Sequence, residues 1–392
     1  SYLLEIDHET PIISLITDNQ NLYGPDGIFD NWQQDWQKAA HVDYFSETEQ
    51  LLFSKNTGMQ IDGGYGGSRS HPQHSFRLEF DNGVLGEGPV NYPVIPNRPN
   101  RTKYSNFYIR NGSNQWLQFP YKDAYQEEAM SGTTNNYYSA WRPVTVYING
   151  AYFGLYELRE KIDDEFFRLA DGADKDSLDI LSLSAWNNSV LRSVKGSPVD
   201  TFYTAYAAFN SLNPASVSYW DDADRYFDQT YYTDYIIAES WMGNTDWPQN
   251  NIKIYRSNTT GFRYRFCTID MELALAPFSW SDCYDDHIAY MMGQSTANPY
   301  INIWLKGIQN NRFHDYFINR FADVMNTEYL PERLLPLEDQ FFNLVAVEMQ
   351  KEYARWGNPN NIPQQMNDLY ASHLTFRDQL NERSNQIGRA HV

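Results

Sequence analysis

The sequence predicts an α+β chain whose first part is rich in strand and turn and whose second part is largely helical. Three observations carry that prediction. Short apolar or alternating runs, broken by glycine and proline, fill the chain up to about Lys161. A strand, an Asn-Gly pair and a second strand follow one another over Val144 to Leu158, the strongest short-range hairpin signal. From Ile301 onward, apolar residues recur at helical spacing almost to the end. With 392 residues the chain is long enough for two or three domains and a sizeable core. The change of character places a boundary between residues 1–160 and 161–392.

Taken in order, Pro11 to Ile16 is a short apolar strand, and Tyr23-Gly24-Pro25-Asp26-Gly27 is turn chemistry. Gly58 to Asp62 leads into a glycine run, after which Ser75 to Phe80 alternates with the period of a half-buried strand. Asp123 to Met130 reads as a short helix capped by Asp123, with Glu127 and Glu128 inside it. Then comes the hairpin, turning at Asn149-Gly150. Phe202 to Asn210 and Tyr231 to Met242 have helical spacing, and two strands follow at Ile252 to Arg256 and Phe262 to Ile269. Glu338 to Trp356 and Asp368 to Ile387 are the clearest late helices. No internal repeat or low-complexity linker interrupts this order.

Charge narrows the function classes. With 30 Lys+Arg against 50 Asp+Glu, the net charge is −20. That field opposes nucleic acid and anionic lipid, which need clustered cations. It suits a basic polypeptide or a metal ion. Aromatics at 16% exclude a disordered chain, because so many rings must pack. No run approaches 18 consecutive apolar residues, so no membrane span is expected. The chain opens on Ser1 without a signal-peptide pattern, which leaves a removed leader and a trimmed start both open. Cys267 and Cys283 could form one disulfide or remain two buried thiols.

Three segments have the residue types that phosphoryl chemistry needs. The first is the cluster Gly63, Gly64, Gly66 and Gly67, followed by Ser68 and Arg69. Glycines let the backbone approach phosphate and aim N–H groups at it, although a tight β-turn needs them equally. The cluster is neither a dinucleotide fingerprint nor a Walker loop. The second is Asn244 to Asn251, where Asp246 and Asn251 stand five residues apart. Protein-kinase catalytic loops use that spacing, with Asp accepting the substrate proton and Asn holding magnesium; a loop-capping Asp is the alternative. The third is Asp270, with Glu272 two residues on, 19 residues after Asn251. A carboxylate leaving a strand there could meet Asn251 across a hairpin and share a hard cation, or simply face solvent.

The remaining constellations are weaker. The eight histidines show no metal-ligand spacing, and Ser113 and Ser131 lack a nucleophile elbow. Asp282, Asp285 and Asp286 form an acidic loop, read as solvated surface rather than a calcium site. With 30 Tyr and 11 Trp, sugar stacking is conceivable, but no carboxylate pair is singled out.

Several segments together resemble the CotH kinase family, the bacterial spore-coat-protein-H-like atypical protein kinases. They are Gly63-Gly64 to Arg69 with Pro72-Gln73 and Ser75-Phe76; Ile109 to Gly112; Val146 to Gly150 running through Gly154-Leu155-Tyr156-Glu157-Leu158; Asn244 to Trp247 with Asn250-Asn251; Asp270; and Arg355-Trp356. The resemblance spans nearly the whole chain and implies a two-lobed atypical protein-kinase-like fold, with a β-rich N-lobe over 1–160 and a largely helical C-lobe over 161–392. It implies transfer of the ATP γ-phosphoryl group to serine of a protein substrate with Mg²⁺ or Mn²⁺, and a secreted or cell-surface bacterial setting. The acidic field adds a basic, Ser-rich polypeptide as the substrate expectation. On this resemblance Asp246 is the catalytic base, and Asn251 (or Asn250), Asp270 and Glu272 hold the metal. Gly63, Gly64, Gly66, Gly67, Ser68, Arg69, His74, Arg77 and Glu157 line the nucleotide.

Two positions depart from the family pattern. His74 stands where members usually carry lysine, and a neutral imidazole supplies no constant charge for phosphates. Arg69 and Arg77 are the stand-ins, and Glu127, Glu128 and Glu157 are candidate partners of His74. Asp270-Met271-Glu272 replaces the usual Asp-x-Asp. These departures keep open a weak or inactive pseudokinase or surface-assembly protein, and aromatic content keeps open a carbohydrate-active one.

Overall fold

In the computed structural model of the chain, residues 7–64, 66–81, 83–185 and 188–390 are described, with side chains to 387. Tyr65, inside the glycine run, lies outside the described residues. The architecture is α+β, β-rich toward the N-terminus and helical toward the C-terminus. The chain divides into two compact units. The first comprises Ser1–Ala124, Ser139–Lys161 and Asp339–Leu374; the second comprises Tyr125–Tyr138, Ile162–Glu338 and Thr375–Val392.

The first unit is built on a closed seven-stranded barrel: β1 (Ile12–Ile16), β2 (Gln37–Phe45), β3 (Leu51–Ile61), β4 (Phe76–Glu79), β5 (Asn106–Arg110), β6 (Trp141–Ile148) and β7 (Ala151–Arg159). The strand order is β1-β2-β3-β4-β5-β7-β6, and the parallel pairing of β1 with β6 completes the ring. Closure removes exposed sheet edges. Alternation sends Phe76 and Leu78 of β4 inward, with Arg77 and Glu79 only half-buried. Its register sets Gln60 against Arg77, and the two side chains hydrogen-bond at 3.1 Å. The β6–β7 turn uses Asn149 at φ 51° and Gly150 at φ 81°, the left-handed pair that a tight hairpin with native twist requires. β2 and the first half of β3 have no turn signal between them that sequence reading could use; only their pairing identifies them.

The segment 339–355 packs on this barrel. Trp141 stacks on Phe341 at 4.5 Å, and the buried Glu352 carboxylate accepts from the Leu155 amide at 2.7 Å and the Tyr152 hydroxyl at 3.3 Å. Gly154, at φ 148°, sits beside it where an added Cβ would lie 2.2 Å from Gln73 Nε2. Burial pushes the Glu352 carboxyl up to about 8. Between its ordinary value of 4.5 and that point, the unfolded chain has released a proton that the folded chain keeps. Glu352 therefore makes stability fall as pH rises through this window. Urea midpoints measured from about pH 5 to pH 8 should fall less steeply in Glu352→Gln than in the parent, and identical slopes would remove the effect.

Helices α1 (Asn19–Leu22) and α2 (Lys122–Ala129) complete the early chain. Asp123 was expected to cap α2; it lies in the first turn instead, because its carboxylate is held by Arg110 (3.0 Å) and Arg159.

The second unit surrounds a four-stranded antiparallel sheet of β8 (Leu178–Leu183), β9 (Arg192–Lys195), β10 (Ile252–Ser257) and β11 (Arg265–Cys267), in the order β11-β10-β8-β9. Its helices are α3 (Asp164–Asp171), α4 (Asp200–Asn210), α5 (Tyr219–Ala223), α6 (Gln229–Met242), α7 (His287–Met292), α8 (Pro299–Gly307) and α9 (Asn311–Met325), with parts of α10 (Pro331–Arg355) and α11 (Ile362–Ala390). The expected strand from Phe262 shortens to β11, because Phe262 sits at φ 58° in the turn that follows Asn258–Thr260. A core of Tyr137, Phe166, Phe167, Ile180, Tyr255 and Cys267 lies on this sheet, with Phe167 stacked on Tyr255 at 3.7 Å. Cys267 and Cys283 are both buried free thiols. Among the described residues no helix is long and apolar enough to cross a membrane.

Candidate active site

α6 is buried on nearly every face and ends at Gly243, whose φ of 68° supplies the left-handed C-cap. The chain then runs through Asn244 to Asn251 and enters β10. Within this loop the structure brings three predicted residues together. Asn250 and Asn251 both donate through Nδ2 to one oxygen of Asp246, at 2.9 and 3.0 Å. The Asp246 amide donates to Asn244 Oδ1 at 3.2 Å. Partial burial raises the Asp246 carboxyl above the usual carboxylate range, and the two amides oppose that rise. A base so placed keeps its acceptor oxygens oriented and gains proton affinity.

The two asparagines differ in their oxygens. Asn250 Oδ1 accepts from the Ala185 amide at 2.6 Å, whereas Asn251 Oδ1 accepts no hydrogen bond among the described residues. Asn251 is therefore the better oxygen donor to a cation. Its backbone, like that of Asp270, is left-handed, at φ 53° and 54° respectively, a conformation uncommon outside glycine. The β10–β11 ladder begins at the Lys253–Cys267 pair, two residues after Asn251 and three before Asp270. The Asp270 amide donates to Glu127 Oε1 at 3.3 Å. Glu272 is 2% exposed.

Glu239, which sequence reading missed, and Asn244, which it quoted without giving it a role, organise this loop. Asn244 Nδ2 donates to Glu239 Oε2 at 2.9 Å and reaches Met271 Sδ at 3.5 Å, so it ties the Asp246 loop to the Asp270–Glu272 segment. Glu239 is fully buried on α6, and burial pushes its carboxyl up to about 8, with Asp246 and Glu127 adding to the rise. The available signal was a glutamate directly after the apolar and aromatic run Tyr235 to Ala238, where an acid is seldom tolerated without a role.

The predicted nucleotide residues lie in the first unit, where the glycine run forms a closed turn. The Gly63 amide donates to Asp62 Oδ1 at 2.8 Å, and its carbonyl accepts from Arg69 Nε at 2.8 Å. A Cβ on Gly63 would meet Ser68 Cβ at 2.3 Å, and one on Gly67 would meet the Ser113 backbone at 2.6 Å. Gly64 accepts from the Arg69 amide at 3.1 Å, Ser68 from the Ser75 amide at 2.7 Å. Gly66 is exposed.

The cations beside this turn are engaged. Arg69 donates to the Trp32 carbonyl at 3.1 Å and pairs with Asp35 at 2.5 Å. Arg77 pairs with Glu79 at 2.5 Å and Asp62 at 3.5 Å, and Lys161 reaches the same Asp62 at 3.7 Å. His74 is buried, with Nδ1 donating to the Arg69 carbonyl at 2.5 Å and its ring against Phe29 at 5.1 Å. Burial lowers its pKa, so the ring is neutral at pH 7. Its side-chain partner is thus a backbone carbonyl and not one of the three candidate glutamates. Glu157 faces Arg110 at 3.6 Å and Arg159 at 3.7 Å, joining Asp123 in a buried cluster of two cations and two anions. Lys122, fully buried at the start of α2, was not singled out from the sequence either.

An aspartate oriented by an amide five residues on, between a buried helix and a strand, with a further carboxylate after the next strand, is the layout that phosphotransfer loops use. Residues 128–385 match the family model described as CotH kinase protein. The chain belongs to the CotH family. Membership implies a protein-kinase-like function, with nucleotide and divalent-metal use and a protein substrate in general terms. No curated protein matches the chain.

Proposed function

We propose that this chain is a divergent CotH-like protein kinase that transfers the ATP γ-phosphoryl group to serine of a protein substrate. The observation that carries this reading is the Asp246 carboxylate held by Asn250 and Asn251 at the end of α6. Asp246 accepts the serine hydroxyl proton through the oxygen left free to face substrate. Asn251 Oδ1, Asp270 and Glu272 are hard oxygen donors of the kind Mg²⁺ or Mn²⁺ takes, and that ion, when bound, neutralises charge on the phosphates. The buried Glu239–Asn244 pair keeps the loop and the metal segment in register. The net charge of −20 favours a basic, Ser-rich polypeptide as acceptor, and a secreted or cell-surface bacterial setting is part of the same proposal.

One observation favours a second reading, a pseudokinase or surface-assembly protein. His74 is neutral, and Arg69 and Arg77 already have carboxylate partners, so the usual constant charge on the phosphates must come from elsewhere. Thermal unfolding with ATP and Mg²⁺, Mn²⁺ or EDTA separates the two. Ligand at 100 times its Kd stabilises the folded chain by about 2.7 kcal/mol. The kinase reading expects a shift that needs ATP and metal together and disappears in Asp270→Ala. No shift with either metal moves the assignment to the pseudokinase.

A further inference from the structure

The second unit contains another concave feature, whose residues the proposed phosphotransfer does not use. It is a cavity of about 270 Å³. Tyr284, Asp285 and Asp286 are its exposed lining residues, and His287, Phe321 and Arg383 are among its buried ones. His287 is 3% exposed, yet neither ring nitrogen has a hydrogen-bond partner among the described residues. Burial and the nearby Arg383 push its pKa down to about 3, so one nitrogen donates and the other accepts throughout the physiological range. A buried polar group left in that state is costly, and His287 belongs to the lining of this cavity.

Arg383 is satisfied differently. It donates to four backbone carbonyls, those of Trp241 (2.6 Å), Ser240 (2.9 Å), Cys283 (3.2 Å) and Asp285 (2.8 Å). The first two belong to the last turn of α6, where a cation is favoured. None of these partners is a carboxylate, so its charge persists beside the cavity. Asp285 gives one oxygen to the Asp282 amide and Asp286 one to the Ala289 amide. Each retains a second oxygen.

These charges decide the class of ligand. An anion entering the cavity meets the carboxylates of Asp285 and Asp286. A cation attracted by those carboxylates meets the guanidinium of Arg383 in the same lining, which offsets part of the gain. A neutral ligand with several hydroxyls avoids both penalties. Each O–H donates and accepts, which matches the imidazole, the spare carboxylate oxygens and the Gln386 amide that also lines the site. Ile288, Ile387 and the Tyr284 ring offer apolar surface to the C–H face of such a molecule. The volume lies below the ~300 Å³ at which drug-sized clefts begin, which suits one sugar ring rather than a nucleotide.

We propose that this cavity binds a neutral polyhydroxylated ligand, a single sugar residue either free or at the end of a glycan, with His287 as its central hydrogen-bonding group. The site adjoins the catalytic loop through one short helix. α7 begins at His287, and its Tyr290 hydroxyl donates to the carbonyls of Thr245 (3.3 Å) and Trp247 (2.8 Å). The inference does not depend on kinase activity.

The probes are glucose, galactose, mannose and N-acetylglucosamine, each as the free sugar and as a linear oligosaccharide ending in it. Binding to the full chain is read by saturation-transfer NMR and calorimetry. At least one probe is expected to bind saturably, the two forms separating free sugar from glycan end. His287→Phe should weaken it about tenfold or more, the equivalent of about 1.4 kcal/mol, and Asp285→Asn should weaken it as well. Asp270→Ala should leave it unchanged. The His287→Phe chain should also melt higher than the parent, since the ring still stacks on Tyr290 at 4.7 Å and the unpartnered nitrogens are gone. Should that variant fail to fold, Asp285→Asn carries the test alone. Absence of binding by every probe in both forms, or equal affinity in a folded His287→Phe chain, overturns the proposal and leaves a solvent-filled cavity.

Discussion

Replacing Asp246 with asparagine is expected to lower phosphoryl transfer by about 10²–10⁴-fold, the usual contribution of a positioned general base, while nucleotide-linked stabilisation persists. The substitution is nearly isosteric. Its Oδ1 can still accept from Asn250 and Asn251, which now hold Asp246 at 2.9 and 3.0 Å, so the loop keeps its shape and loses only proton affinity. Burial raises the Asp246 carboxyl above the ordinary range. Activity should accordingly begin to fall, as pH is lowered, at a higher pH than an unperturbed aspartate would give, because the protonated base cannot accept the serine proton. ADP release and phosphoserine formation on basic Ser-containing polypeptides measure both effects. A wild-type rate in Asp246→Asn would remove Asp246 from the chemistry. Transfer absent from the parent chain would instead defeat the kinase reading itself.

The largest stability effect should come from Asp234, on α6. Its side chain is fully buried. It accepts from Arg320 at 2.6 and 3.0 Å, a bidentate arrangement, and from the Asn135 amide and side chain at 2.8 and 2.7 Å. Asp234→Ala leaves Arg320, only 19% exposed, without its counter-ion and strands two further donors. Breaking such a pair from one side costs about 3–5 kcal/mol. Urea unfolding measures it, with Asp234→Asn expected to fall between alanine and the parent because the amide retains an acceptor. The exposed Asp221–Arg312 pair, at 2.9 Å with both side chains more than half exposed, is the internal comparison. Solvent screening limits that pair to about 1 kcal/mol or less. Equal losses at the two sites would mean that burial is not what makes the Asp234 contact matter.

Asn149-Gly150 was legible because its signal lies in two adjacent residues and the backbone angles they tolerate. α6 was legible because its apolar residues recur within one short window, as helix periodicity requires. The Asp246-to-Asn251 interval could be noticed for a similar reason, since the loop folds back on itself within eight residues and both ends are in view at once. His74 shows the limit of such reading. Its place in the pattern was evident, but its partner was not, because the carbonyl it meets belongs to Arg69 and every residue offers a carbonyl.

Glu239 and Asn244 lay further out of reach. An acid in an apolar helix is visible as an anomaly, but its meaning depends on which amide it meets in the folded chain. Asp234 and Arg320 are 86 positions apart, and among 50 acids and 30 bases nothing local selects that pair. The barrel poses the same problem on a larger scale: β1 and β6 pair across more than 120 residues. By itself, then, the sequence determined the α+β class, the hairpin, the loop spacing and the family resemblance, all of which reside in short-range pattern. Tertiary structure alone decided which carboxylates are buried, which cations are already taken and which histidine is left without a partner. Those properties follow from desolvation and distance, and both are set only when residues remote in the chain are brought into contact.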